Sequence, residues 1–503
     1  MLSSTPNQAD ERTHLLSNGD EAATAKDKSR LRTQLVVILF VCVLYFNLYL
    51  CLAPEVNIRE DIICKAYYDA LDNDEVSIER DCTVDDVQRE LSLLSQVYVT
   101  ISQLPGFILA FPYGALADRI GRRKVLLCSV VGIVLCDAFK LLVMWQPNHF
   151  PLRVIWLAPL FRLIGGGDAV AATVVLATLA DVYTEQDRVA SMATACELFS
   201  PLIGSALMLK SSWIPVLLGF ATLLVGTSVS LALLPETLAQ RPRSGDPLDP
   251  ARPKTHGPPR LGISGDQITA MLAVFRESIT SLFATKNVGL LLFGFFAATV
   301  GTIAAAFELQ YVHKRFGWSY PYASSILAIR PSITLVVLLV IIPVASRISM
   351  ENFGLSSARA DLFLVRVSAA LLTAGTLLLS VSEISSLAIL SLIIFALGNA
   401  FTTIAKSLLT TFGPPEMAGT LLSAMNISAS LGAMIAGPII AVLFDWGLKQ
   451  GGIWVGAPLF FVTLLYTLTF CSVCVLRLPD RSEDGDDDDY EQDQQRAQSV
   501  LGS

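Results

Sequence analysis

The sequence predicts an all-α membrane protein with twelve membrane spans, and three observations carry that reading. The chain is 53% hydrophobic and only 16% charged, with a mean hydropathy of +0.57, whereas soluble domains carry about 25% charged residues. Its apolar residues fall in runs of about 20, the length that crosses a roughly 30 Å hydrocarbon core as a helix. Its lysines and arginines gather on alternate connections between those runs.

The first six runs are 34–52, 94–116, 125–145, 154–180, 189–209 and 214–234. After a polar break come 288–311, 322–345, 362–380, 387–411, 420–444 and 455–476. Helices suit these runs because lipid offers no partner to backbone N–H and C=O groups, which a helix satisfies internally. The first 33 residues are polar and contain no h-region, so the amino terminus is expected to stay in the cytosol. Twelve spans then bring the carboxyl terminus to the same side. Of the 36 Lys and Arg residues, 22 fall on that side, nine on the other, and five (Lys140, Arg162, Arg330, Arg366 and Lys406) within or at the ends of spans. This is the positive-inside bias.

The organisation follows. Residues 1–33 form a cytosolic disordered tail, and 34–234 a first six-helix bundle with an external loop at 53–93. Residues 235–286 form a cytosolic linker, 287–478 a second six-helix bundle, and 479–503 an acidic cytosolic tail. The linker, with "RPRSGDPLDPARPKTHGPPR", is too rich in Pro, Gly and Arg to bury a core. The two halves echo each other, "GGGDAVAATVVLATLADV" in span four against "LGNAFTTIAKSLLTTFG" in span ten. Internal repetition of this kind is typical of secondary transporters.

Much of the net charge of −8 sits in the acidic tail and in the 53–93 segment, which holds twelve acids against four bases, so it says little about partners. Cys64 and Cys82 are the only two of nine cysteines expected on the external, oxidising side. They pair as a disulfide, worth about 3 kcal/mol to a loop of this size, or remain two thiols. Cys471 and Cys474 form a CxxC inside span twelve, where packing is the expected role. In the first tail "ERTHLL" has the spacing of an acidic dileucine sorting signal, which would direct the protein to endosomal or vacuolar membranes; otherwise the plasma membrane is expected.

Between spans two and three lies "GALADRIGRRK". It resembles the signature loop of the major facilitator superfamily, Gly-x-Leu-x-Asp-Arg-x-Gly-Arg-Arg/Lys, through Gly114, Asp118, Arg119, Gly121, Arg122 and Arg123. Positive-inside topology alone needs no such fixed spacing. The resemblance implies two six-helix bundles related by pseudo-symmetry, and a loop that acts as a conformational latch. Within it Arg122 would pair with Asp181, at the end of span four, and Asp118 would face the start of span eleven near Gly419 and Thr420. "FRLIGGGDA" is similar to the family's Arg-x-x-x-Gly motif through Arg162 and Gly166. "SPLIGS" is similar to the antiporter motif Gly-Pro-x-x-Gly-Gly through Pro201 and Gly204, with Ser200 and Ser205 in place of two glycines. "LLPET" after span six occurs in the sugar and drug branches. As a whole the chain resembles eukaryotic members, above all fungal ones, of the drug:proton antiporter or folate-transporter type.

Ionisable groups inside spans cost about 2.5–3.5 kcal/mol each at the bilayer centre, which makes each a functional candidate. A rise of 1.5 Å per residue puts Asp168 about 20 Å and Glu197 about 12 Å from the cytosolic side. Spans four and five are consecutive, so these two acids are placed to approach one another, and either is a proton-coupling candidate; the alternative is a static pair with Arg162 or Lys140. Arg330, about 12 Å from the outer end of span eight, and Lys406, about 8 Å from the inner end of span ten, have no obvious acid nearby in sequence. They are substrate-cavity candidates for an anion; the alternatives are pairing with an acid of the other half, or snorkelling. Asn47 and Asn426 are further cavity candidates, or interhelical hydrogen bonders. Asp137 and Lys140, three apart in the peripheral span three, are expected to pair.

These observations predict a secondary transporter of a small organic solute, a monomer in a lipid bilayer that works by alternating access. Proton-coupled export by antiport is the first reading. A proton-coupled importer of an organic anion, suggested by Arg330 and Lys406, and a non-transporting nutrient sensor of the same fold are the alternatives. No GxxxxGK[S/T] phosphate loop suggests ATP. The four histidines, His14, His149, His256 and His313, are expected outside the spans with no paired metal motif, so no enzyme, cofactor, metal or nucleic-acid partner is expected.

Overall fold

The computed structural model describes residues 7–71, 80–182, 186–234, 286–351, 356–412 and 418–476. Side chains are described throughout these segments except at 7–31, 110–111, 114–115, 118–119, 176–182, 186–193, 410, 418–420 and 423. The acidic tail, the linker up to residue 285, and the side chains of the dileucine segment, Asp118, Arg119 and Asp181 therefore lie outside the described residues, as does what Gly114 touches. The backbone of the first tail is helical from Asn7, continuous with span one, where a disordered tail was expected.

Among the described residues the regular structure is helical. Eleven helices among the described residues are long and apolar enough to cross a membrane, and a further apolar helix, Thr194–Met208, is shorter. With six spans on each side of the linker, the chain is an all-α, multi-pass membrane protein of the expected architecture.

Three elements depart from the expected spans. Span one does not end at residue 52: its helix runs on to Ala70 through Pro54, and span two begins at Asp85, so most of the expected external loop at 53–93 is helix. The extension persists because its polar residues have partners. Arg59 donates to the Glu55 carbonyl at 2.9 Å, and both side chains are nearly buried. The Cys64–Cys82 disulfide ties the end of this helix to the start of span two.

Span four, expected to be continuous, is broken. A 3₁₀ segment, Leu152–Leu163, is followed by Gly165, Gly166 and Gly167 at φ +94°, +77° and +64°, and then by the helix Gly167–Val182. Three successive positive φ angles are open to glycine without steric penalty. The backbone groups freed by the break find partners, as a lipid-embedded helix requires. Ser129 Oγ donates to the Gly165 carbonyl at 2.7 Å, and the Gly165 N–H donates to Tyr113 Oη at 3.0 Å. Span eight is also composite, with helices Tyr320–Leu327 and Ile329–Val336, a π turn Val337–Ile341, and the helix Ile342–Glu351.

In the first half spans one, five and six pack together, as do spans two, three and four; in the second half span nine packs on ten and twelve, and span seven on eleven and twelve. The halves meet chiefly where span two crosses span eleven and span five crosses span eight. Glycine permits the first crossing: a Cβ on Gly437 would stand 2.7 Å from the Gln96 carbonyl. The largest core cluster lies in the second half but includes Ala53, Val56, Leu91 and Met208 of the first, all toward the end of the molecule that carries the disulfide.

Candidate functional site

The ionisable groups of spans five, seven and eight converge between the two halves. Arg330 follows the break at Ala328 in span eight and is paired on both sides. Its Nη1 donates to Glu308 Oε2 of span seven at 3.1 Å, and its Nη2 lies 3.8 Å from Glu197 Oε1 of span five, across the boundary between the halves. Its guanidinium also sits 5.8 Å from the centre of the Phe395 ring, within cation–π range. One cation thus serves two carboxylates. Glu308 is 4% exposed and Glu197 27% exposed, so the acid from the first half is the more accessible of the two.

This network borders a cavity of about 60 Å³ lined by Tyr49, Glu197, Pro201, Glu308, Ser324 and Arg330 among mostly apolar neighbours. Small-molecule sites hold roughly 300–1,000 Å³. By itself this cavity has room for a few waters, less than a small-molecule site needs. One hydrogen bond above it, Ser325 Oγ to Ser205 Oγ at 2.8 Å, again joins span eight to span five.

Toward the disulfide end the halves are bound by a polar girdle. Gln310 donates to the Gln88 carbonyl at 2.8 Å and to its Oε1 at 3.1 Å. Lys314 lies 2.6 Å from Asp85 and also donates to the Thr83 carbonyl. Arg89 lies 3.1 Å from Asp445, and Tyr320 Oη donates to Glu60 at 3.0 Å. Described contacts between the halves run from the midplane to this end.

The remaining expected residues fall in several places. Asp168 does not join Glu197 in one pair: it is 2.6 Å from Arg162, with its side chain 56% exposed, so the static pairing is the one formed. Gly166 is the middle of the span-four break. Gly204 allows close packing on span one, since a Cβ there would stand 2.9 Å from the Leu50 carbonyl, and Pro201 lines the cavity. Asn47 is a hydrogen bonder between helices: its Nδ2 donates to Asp137 Oδ2 at 3.1 Å, because it faces span three. Asp137 in turn pairs with Lys140 at 3.0 Å, and Lys140 also with Glu55 at 2.9 Å. Lys406 and Asn426 are exposed and are not among the residues around the cavity. Cys64 and Cys82 are joined in a disulfide. In the basic loop Gly121, at φ +104°, makes the turn between spans two and three; Arg122 behind it is buried, and Arg123 is exposed.

Three features escaped the sequence reading. Glu308 sits in "AAAFELQYV", a lone acid in an apolar run, and the rule that singled out Asp168 applied equally to it. Its presence also overturns the expectation of a cationic cavity, since Arg330 is outnumbered by acids. Tyr49 faces the cavity from span one, with no signal to separate it from other interfacial aromatics. His313, expected outside the spans, lies within the helix Lys286–Phe316.

Comparisons with known proteins agree with this architecture. A family model described as Major Facilitator Superfamily matches residues 87–438. The chain is 31% identical over 446 residues to the MFS efflux pump atnC of Emericella nidulans, covering 86% of this chain and 85% of that protein. It is 30% identical over 436 residues to the efflux pump ustT of Aspergillus flavus, covering 84% of each. Among solved structures, the human organic anion transporter MFSD10 superposes with a TM-score of 0.57 at 16% identity, over 88% of this chain and 99% of that one. A D-xylose-proton symporter gives 0.57 at 14% identity, over 90% and 99%; at such identities the likeness shows the fold alone.

Proposed function

Because this chain belongs to the major facilitator superfamily and is a secondary transporter of that type, we propose that it exports a small organic solute in exchange for protons. The observation that carries the reading is the Arg330 guanidinium shared by Glu197 and Glu308 from opposite halves. With both acids ionised, Glu197 is held to Arg330 across the boundary. A proton on Glu197 removes that attraction and leaves Arg330 and Glu308 as a neutral pair inside the second half. The energetic link between the halves is then weakened where the solute must pass, so proton loading and bundle movement become one event.

Export, rather than import, is supported by relatives that are themselves named efflux pumps. Of the features that would suit an imported organic anion, Arg330, Lys406 and the external segment before span two, Arg330 is engaged by two carboxylates. Orientation is supported by two independent features. The disulfide belongs on an oxidising side, and the basic residues gather at the other end, where both termini would lie in the cytosol. The turn at Gly121 with buried Arg122 is then the cytosolic latch, with Asp118, Arg119 and Asp181 as its further members.

The test is flux in proteoliposomes with an imposed pH gradient, over a panel of hydrophobic drugs and organic anions. At least one compound should move against the proton current in the wild type and stop moving when Glu197→Gln is reconstituted. Movement that ignores the gradient, or uptake in the same direction as the proton, would sink the antiport reading.

A further inference from the structure

We propose that His313 and Glu60 hold a second proton between them, distinct from the central site, and that this proton keeps the disulfide end of the two halves shut. His313 belongs to span seven and Glu60 to span one, so the pair bridges the halves. The argument rests on what each ring nitrogen of His313 faces. Nδ1 lies 2.6 Å from the Trp318 carbonyl oxygen, which only accepts. Nε2 is buried and lies 3.3 Å from Glu60 Oε1.

A neutral imidazole has one N–H and one bare nitrogen. In one tautomer the bare nitrogen faces the Trp318 carbonyl; in the other it faces the carboxylate. Either leaves two acceptors opposed in a buried place. One added proton, carried as an imidazolium or as a Glu60 carboxylic acid, satisfies both contacts at once. Charge points the same way. Glu60 is 3% exposed, and its other partners, Gln88 Nε2 and Tyr320 Oη, are neutral donors. A buried carboxylate without a cation is strongly disfavoured.

The charged groups nearby are committed elsewhere. Arg59, next in chain to Glu60, donates to the Glu55 carbonyl and to Ser95 Oγ. Lys314 is taken by Asp85 and the Thr83 carbonyl. Asp61 and Asp81 add only negative charge, and Asp81 accepts from Thr83. Tyr320 stacks on the His313 ring with centroids 4.3 Å apart, and Gln310 holds Gln88 in place. The proton is therefore the component that neutralises this corner. Losing it as pH rises sets a lone pair against a carboxylate, and the end should open.

Hydrogen exchange of the full chain in lipid nanodiscs, followed by mass spectrometry over residues 55–71, 80–92 and 308–322, tests this. After correction for the chemical exchange rate, wild-type protection should fall about tenfold between about pH 5 and 8. The fall should vanish in Glu60→Gln, which keeps the side chain's volume and its neutral contacts, and in His313→Gln. It should persist in Glu197→Gln, which leaves both His313 and Glu60 in place to hold the proton whatever its effect on the overall level of protection, so a failure here is separable from failure of the antiport reading. A wild type with no fall, or a fall retained in Glu60→Gln or lost in Glu197→Gln, would overturn the proposal. If His313→Gln does not fold, Glu60→Gln decides.

Discussion

Two of the ionic clusters among the described helices, one within the first half and one at the boundary, differ in where they sit and how their charges add up. The first, Glu55 and Arg59 of span one with Asp137 and Lys140 of span three, lies wholly within the first half and balances two acids against two bases. Asn47 closes it with a hydrogen bond to Asp137, and Lys140 lies over the Tyr98 ring at 5.7 Å. The second, Glu197, Arg330 and Glu308, straddles the boundary between the halves and has two acids for one base. Both contain the residue types that make an intramembrane site a functional candidate. In the proposed cycle the balanced cluster joins parts that move together, whereas the unbalanced one joins parts that move apart, with Glu197 as the acid that takes the proton.

The comparison breaks first, if it breaks, at Glu308. Glu308→Gln should lower gradient-driven flux about 100-fold, the equivalent of a charged hydrogen bond worth about 3 kcal/mol, while the thermal midpoint in detergent stays near that of the wild type. Undiminished flux would show that Glu308, which keeps Arg330 paired once Glu197 is protonated, is only structural. In the balanced cluster the order should reverse. Lys140→Met leaves Glu55 and Asp137 with Arg59 alone, and is expected to cost about 3 kcal/mol of stability, seen as a lower thermal midpoint. The protein that remains folded should keep its pH dependence of transport. Adding Asp137→Asn should recover more than half of the loss, and an altered pH profile in either variant would erase the distinction. The smallest effect should come from Asn47→Ala, about 0.6 kcal/mol as is usual for hydrogen bonds between membrane helices, with flux unchanged.

These clusters also show what was legible in advance. Asp137 and Lys140 were a readable pair because three residues along a helix bring side chains to one face. Arg330 was readable as a buried cation, but its partners were not, since Glu197 belongs to the other half. For Asn47 the two readings, cavity contact and interhelical hydrogen bond, could not be separated in advance, because the face a side chain presents to other helices depends on how those helices pack; it bonds Asp137 of span three. The break in span four had its signal in three successive glycines, but glycine permits a break without requiring one. The helix beyond residue 52 was hidden because its acids and bases read as solvated until their partners on span three and span seven are in place.

By itself the sequence determined the solvent, the number of spans, the Gly121 turn and the cysteines available to pair. Each of these follows from local composition, from the thickness of lipid, or from the allowed angles of one residue. Only the tertiary structure decided which charges meet, that Arg330 is shared rather than free, and that His313 closes on Glu60. Those pairings join residues far apart in the chain, and in a low-dielectric interior a charge is a structural tie or a switch according to the partner that packing brings to it.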